Sequence, residues 1–261
     1  MVPYVELRPF YLGPIEVRPF GVLVAIAIVV AFLCARRRAR HVGLDLHVLR
    51  QLVRLCVIFG LIGAHLVHVL VYHPEEMARD PWVLLKIWAG LSSYGGFVGA
   101  ILAFLAYTRW NRIPRLPFAD TLMFGFFPAW LIARLGCATA HDHPGQRSNF
   151  FLAVRFPDGP RHDLGLYEFL LCFLWIPLLW WLGRKKQLNN PPAGTIVFAM
   201  CIAYAVPRFF LDFLRATDLP YSDVRHFGLT PAQYACLAFT AWGVAFFAKR
   251  SKSAVPHLAY Q

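Results

Sequence analysis

The succession of apolar runs limits this chain more than any other feature. A helix that spans a bilayer needs about 20 mostly apolar residues. About seven stretches meet that need, near residues 18–35, 51–73, 84–108, 118–139, 165–183, 194–215 and 229–248. Hydrocarbon offers no partner to a backbone N–H or C=O, so such runs fold as helices. With 58% of its residues apolar and 15% charged, the chain is too apolar for a soluble domain of its length. The reading is an all-α polytopic membrane protein with about seven transmembrane helices. Pro128, Pro177 and Pro207 fall inside three of the runs and mark expected kinks. No Gly/Ser-rich or charged low-complexity linker divides residues 1–261, so a single transmembrane bundle is expected.

The net charge of +12 is distributed in a way that excludes nucleic acid as a partner. Basic clusters follow the first run (Arg36, Arg37, Arg38, Arg40), the third (Arg109, Arg112, Arg115), the fifth (Arg184, Lys185, Lys186) and the seventh (Lys249, Arg250, Lys252). Cytoplasmic loops carry such excess, which places the N-terminus outside and the C-terminus in the cytoplasm. The intervening loops hold acids: Glu75, Glu76 and Asp80, then Asp142, Asp158 and Asp163, then Asp218 and Asp223. The first twenty residues lack the basic n-region and immediate apolar stretch of a cleavable signal, so the first span is expected to be retained. Residues 140–163, with Asn149, Arg155, Pro157, Gly159 and Pro160, are too polar and broken to cross and read as an extracytoplasmic excursion. The six cysteines lie in apolar runs without CxxC spacing and read as small core residues.

Ionisable groups inside the runs point to a site. Arg134 lies about one and a half turns before the outer end of the fourth helix, and Arg208 lies at similar depth in the sixth. A guanidinium in hydrocarbon costs roughly 3 kcal/mol or more, so a counter-ion is required. Tyr204, Arg208, Asp212 and Arg215 recur at spacings that share one helix face. His65, His68 and Tyr94 fall in the outer halves of their helices. Cations gathered on the outer side suggest an anion site for a lipid phosphate, which would serve as the counter-ion of Arg134. Gly95 and Gly96, beside Tyr94, read either as a helix-packing notch or as backbone donors to phosphate. In AHDHPG, His141 and His143 have no third ligand at helical or hairpin spacing, so no metal is expected.

These residues resemble the bacterial prolipoprotein diacylglyceryl transferases over nearly the whole chain. The stretch from Ala133 and Arg134 through Gly136, Cys137, Asp142 and Gly145 resembles the family signature G-R-x-G-N-F-x-N-x-E-x-x-G. Asp120 matches an aspartate fourteen residues before that arginine. RHDLGLYE resembles H-P-S-Q-L-Y-E, with His162, Tyr167 and Glu168 in place, and YAVPRFFLDFLR resembles Y-G-x-x-R-x-x-x-E-x-x-R. The resemblance implies transfer of a diacylglyceryl group from phosphatidylglycerol to the lipobox cysteine of a prolipoprotein signal-peptide region, the first step of lipoprotein maturation, in the bacterial cytoplasmic (inner) membrane and without a cofactor. It implies substrate binding by Arg134, Asp142, Gly145, Tyr204, Asp212, Arg215, Gly95, Gly96 and Asp120.

The sequence also departs from the pattern. Tyr94 stands at the histidine of S-F-H-G-G, His65 at an arginine of the second helix, Cys137 at the signature asparagine, and Asp142 and Asp212 at glutamates. Tyrosine, with a reference pKa near 10, is a poor base at neutral pH. His65 and His141 are therefore the first choices to take the thiol proton, with Tyr94, Arg134 and Arg208 completing the catalytic set. The alternative is a divergent, non-catalytic membrane protein that binds anionic phospholipid. A transporter fits less well, because the embedded charges do not trace a path across the bilayer.

Overall fold

A computed structural model describes residues 1–7, 9–13, 15–86, 90–184, 192–219 and 222–253. After the β1–β2 hairpin (Phe10–Leu12, Ile15–Val17) come α1 (Pro19–Val42), α2 (Leu46–Val67, continued by a π turn to Tyr72) and the short α3 (Pro74–Arg79). The chain goes on through α4 (Ser93–Trp110), α5 (Arg115–Ala140), α6 (Leu164–Arg184), α7 (Thr195–Leu211) and α8 (Pro231–Ser253). Among the described residues, four helical segments are long and apolar enough to cross a membrane: Pro19–Val42, Leu46–Tyr72, Arg115–Ala140 and Thr195–Leu214. Pro128 and Pro207 lie inside α5 and α7. Lys185 and Lys186 lie outside the described residues.

One boundary differs from the sequence expectation. The third run was expected to be helical from about residue 84, yet α4 starts at Ser93, after Ser92 in an extended cap conformation. Ahead of it, Pro81–Leu85 forms a 3-10 turn whose first turn is capped by Asp80, accepting from the Trp82 N–H at 3.0 Å. Apolar content alone does not separate such a turn from the helix that follows; Pro81 and the Ser92–Ser93 pair are the local signals.

The chain divides into two compact units, residues 36–122 and residues 1–35 with 123–261. In the first, α2 packs along α4 through glycine. A Cβ on Gly95 would lie 2.7 Å from the Val67 Cβ, and one on Gly63 would lie 3.1 Å from the Gly99 Cα. A Cβ on Gly96 would meet only the Ala64 Cβ and the Gly60 carbonyl, at ordinary contact of 3.7 Å. Gly95 is thus a packing notch, and Gly96 has room.

In the second unit, residues 141–163 fold into a three-stranded antiparallel sheet in the order β3 (Pro144–Arg147), β5 (Gly159–Asp163), β4 (Val154–Phe156). The Pro157–Asp158 turn joins β4 to β5, and Gly159 takes φ +123°, which only glycine adopts readily. The N-terminus lies on this sheet: Val2 bridges Val154, and the Tyr4 ring stacks 4.4 Å from that of His141. Arg161, buried, clamps the assembly. It holds Asp158 at 2.6 Å, both oxygens of Asp218 at 2.9 and 2.7 Å, and the Gly145 carbonyl at 3.2 Å.

Two outcomes follow from this packing. Gly95→Val should overpack the notch at a cost of about 1–3 kcal/mol, read as a lowered Tm in detergent, while Gly96→Ala should leave Tm nearly unchanged. The hydrogen bonds of Arg161 hold the carboxyls of Asp158 and Asp218 below the usual aspartate range. Their contribution is complete above that range and disappears only as pH falls through the lowered values. Hydrogen exchange of residues 144–163, corrected for intrinsic rates, should stay slow down to roughly pH 4; loosening already between roughly pH 6 and 5 would contradict the clamp.

Candidate active site

The site is built on Glu168. Asp163 caps the first turn of α6, accepting from the Leu166 N–H at 3.0 Å through one oxygen and pairing with His141 Nδ1 at 2.5 Å through the other. Burial pushes the Asp163 carboxyl up, against the opposing pull of its His141 hydrogen bond. The helix that starts there carries Glu168 on its second turn, fully buried. A lone buried carboxylate would be prohibitive, and two guanidiniums from other helices meet it. Arg134 Nη2 of α5 lies 2.9 Å from Oε2. Arg208 Nε of α7 faces Oε1 at 3.1 Å as an ion pair, off the line of a hydrogen bond. Tyr204 donates its hydroxyl to Glu168 and accepts from Arg134 Nη2 at 3.0 Å. The Arg134 guanidinium also lies over the Trp130 ring at 4.4 Å. Among the described residues, its buried Nε has no hydrogen-bond partner.

A second carboxylate extends the cluster. Asp212, fully buried, receives Arg208 Nη1 at 2.6 Å, Arg215 Nε at 2.9 Å and the Thr230 hydroxyl. Arg215 also reaches Asp223 at 3.2 Å. Thr230 and Gln233 form a capping box at the start of α8: the Thr230 N–H donates to Gln233 Oε1 at 2.9 Å, and the Gln233 N–H donates to Thr230 Oγ1 at 3.2 Å. Gly145 bridges Arg215, and a Cβ there would come 2.6 Å from the Leu214 carbonyl. Glycine is required for β3 to approach the end of α7.

The structure therefore brings together Arg134, Tyr204, Arg208, Asp212, Arg215 and Gly145. It also supplies a counter-ion of Arg134 from within the chain, Glu168, beside the lipid phosphate expected from the sequence. The reach of α6 across to α5 is a tertiary contact, invisible to helical spacing. Glu168 was legible only as part of the LYE match. Thr230 and Gln233 carry a local signal in the sequence, T-x-x-Q before an apolar run.

Tyr94, Gly95, Gly96, His65 and Asp120 belong to the unit of residues 36–122. Tyr94 is in the first turn of α4 and 42% exposed. Asp120 is buried and interacts electrostatically with Arg38. His65 is buried with Nδ1 3.2 Å from the Gly90 carbonyl and Nε2 3.0 Å from that of Val83. Both ring nitrogens thus face backbone carbonyls, which only accept. His141, with φ +50°, ends α5 in the left-handed region; its Nε2 accepts from the Val5 N–H at 3.4 Å while Nδ1 faces Asp163. Past that bend, Asp142 and His143 return alongside Cys137 in the last turn of α5. Their ligand atoms all lie within 4.8 Å of one another, the third donor that the spacing of AHDHPG alone did not supply.

The family model for prolipoprotein diacylglyceryl transferase matches residues 9–249. A relative from Methylococcus capsulatus, a phosphatidylglycerol--prolipoprotein diacylglyceryl transferase, is 30% identical over 96% of this chain and 100% of its own. Relatives of the same name from Chromohalobacter salexigens and Nitratidesulfovibrio vulgaris are 27% and 28% identical, each over 94% of this chain and 93% and 94% of their own. With its site arginines in signature order and the family model matching most of its length, the chain belongs to the prolipoprotein diacylglyceryl transferase family.

Proposed function

We propose that the protein transfers a diacylglyceryl group from phosphatidylglycerol to the thiol of a lipobox cysteine in a prolipoprotein. The carbon–oxygen bond on the diacylglyceryl side of the phosphate breaks, a carbon–sulfur bond forms, the thiol proton is lost, and glycerol phosphate leaves. The observation that carries this reading is the convergence of Arg134 and Arg208, from separate helices, on Glu168. Their guanidiniums are held in place before any substrate arrives, as a site for developing phosphate charge requires. The unpartnered Nε of Arg134 is a donor left for a ligand oxygen. Asp142, Gly145, Tyr204, Asp212 and Arg215 would shape the lipid site around this pair, and Gly95, Gly96 and Asp120 are carried as substrate-binding positions by the resemblance.

The basic ends of alternate apolar runs support a multi-pass arrangement in a bacterial inner membrane, with seven crossings, the N-terminus outside, the C-terminus in the cytoplasm, and residues 140–163 over the outer face of one bundle. The acceptor and the lipid would both be reached from that face.

A second reading has a specific observation behind it. Tyr94 replaces the family histidine, and both ring nitrogens of His65 and of His141 are engaged. Binding of anionic phospholipid without turnover would need no base. Mass spectrometry of a lipobox peptide incubated with the purified protein and phosphatidylglycerol vesicles separates the two: a diacylglyceryl mass gain means transfer, and retained lipid with an unchanged peptide means binding alone.

On the transfer reading, Arg134→Ala and Arg208→Ala should each lower the rate by about 10²–10³-fold. Lysine should rescue poorly, since a point charge does not reproduce the guanidinium fork. Glu168→Gln should lower both rate and Tm, because it leaves two buried cations short of a partner; breaking such a pair costs about 3–5 kcal/mol. Among base candidates, His65→Ala and His141→Ala should differ sharply in rate from the parent if either histidine takes the proton. Full activity in both, with loss in Tyr94→Phe, would assign the step to the tyrosine.

A further inference from the structure

The bend at His141 turns the chain back so that the Asp142 carboxylate and the His143 imidazole stand beside the Cys137 thiol. His143 Nε2 lies 3.7 Å from Asp142 Oδ1. The edge of a tetrahedron with zinc-ligand bonds of 2.0–2.3 Å is about 3.5 Å, so this pair already has the separation that two ligands of one ion require. The thiol, within 4.8 Å of both, needs a shift of about 1 Å to complete the face.

Thiolate, imidazole and carboxylate together select zinc among common ions. Its charge is balanced by the thiolate and the carboxylate, so the site adds no net charge beside the arginines. Arg134 Nη1 donates to Cys137 Sγ at 3.7 Å, the kind of outer hydrogen bond that orients and stabilises a ligating thiolate. Leu164 N–H donates to the His143 carbonyl at 3.0 Å and ties the ligand loop to the start of α6. The contact of Arg134 with Cys137 places an ion there at the edge of the phosphate site.

We propose that Cys137, Asp142 and His143 hold a zinc ion whose fourth position takes the acceptor thiol beside the Arg134–Arg208 pair. The identity of that thiol rests on the transferase reading. Three protein ligands and one open position are the pattern of catalytic zinc. A thiol that coordinates the ion is deprotonated outright; its proton passes to water. The bound sulfur then attacks the glyceryl carbon, the carbon–oxygen bond to phosphate breaks, and glycerol phosphate leaves towards the guanidiniums. Zinc thus supplies the activation that Tyr94 is poorly suited to give.

Cobalt reports on such a site without turnover. The full-length protein, stripped with a chelator in detergent, should bind one equivalent of Co²⁺ with a thiolate-to-cobalt charge-transfer band and visible bands of four-coordinate geometry. A lipobox peptide should intensify the charge-transfer band, and the same peptide with serine in place of cysteine should not. Cys137→Ser and His143→Ala should each lose the band, while Cys201→Ala keeps it. Absence of the band, or its survival in Cys137→Ser, overturns the site. Transfer that proceeds undiminished in chelator also overturns it and leaves the transferase reading standing. A peptide-dependent band in a protein that never transfers lipid supports the zinc site and removes the transferase reading instead.

Discussion

The fully buried carboxylate of Glu168 is the constraint on which the second unit depends. It is shared by Arg134 of α5, Arg208 of α7 and the hydroxyl of Tyr204. Desolvating these ions costs several kcal/mol each, and their mutual attraction offsets that only with good geometry. Such a cluster adds little net stability compared with apolar side chains of the same volume. Its structural consequence is specificity: α5, α6 and α7 must arrive in one register, or a charge is left bare in an apolar interior.

The elements around Glu168 serve that register. Asp163 fixes where α6 begins, and with it the turn on which Glu168 falls. His141, bound to Asp163 and stacked on Tyr4, ties the end of α5 and the N-terminal segment to the same point. At the other end, Asp212 collects Arg208, Arg215 and Thr230, and the Thr230–Gln233 box starts α8 where that contact demands. Arg161 holds the sheet to the segment after α7 through Asp218. Each of these polar groups sits at a helix end or a strand edge, where backbone partners run out, so one set of bonds both closes the secondary structure and positions the cluster.

What the sequence made legible was local. Hydropathy located the helices, because a spanning run is a property of consecutive residues, and it misplaced the start of α4, because a 3-10 turn at Pro81–Leu85 is apolar too. Helical spacing put Tyr204, Arg208, Asp212 and Arg215 on one face, and the structure joins Arg208 to Asp212 at 2.6 Å. What spacing could not reach was contact between elements. Arg134 and Glu168 are thirty-four positions apart, and nothing in either neighbourhood names the other, so Arg134 looked like a cation awaiting a lipid phosphate. The same blindness hid Cys137 from Asp142 and His143: the left-handed turn at His141 that unites them belongs to a non-glycine residue, which sequence rules treat as an unfavourable place for one.

The pairing of the arginines with Glu168 also bears on how they act. A guanidinium already neutralised by a carboxylate attracts a phosphodiester, with its single charge, less strongly than a bare one would. The phosphate gains a second charge as the carbon–oxygen bond breaks, and the attraction then grows. On the transfer reading, Glu168 would lower the pull of the arginines on the intact lipid and on the charge that develops, since both scale with the same field. Only interactions that strengthen on the way to the transition state raise the rate of the chemical step. On the transfer reading, what a carboxylate that holds two arginines rigid would add is placement: the donors would already stand where charge develops, and little reorganisation would be needed as glycerol phosphate departs.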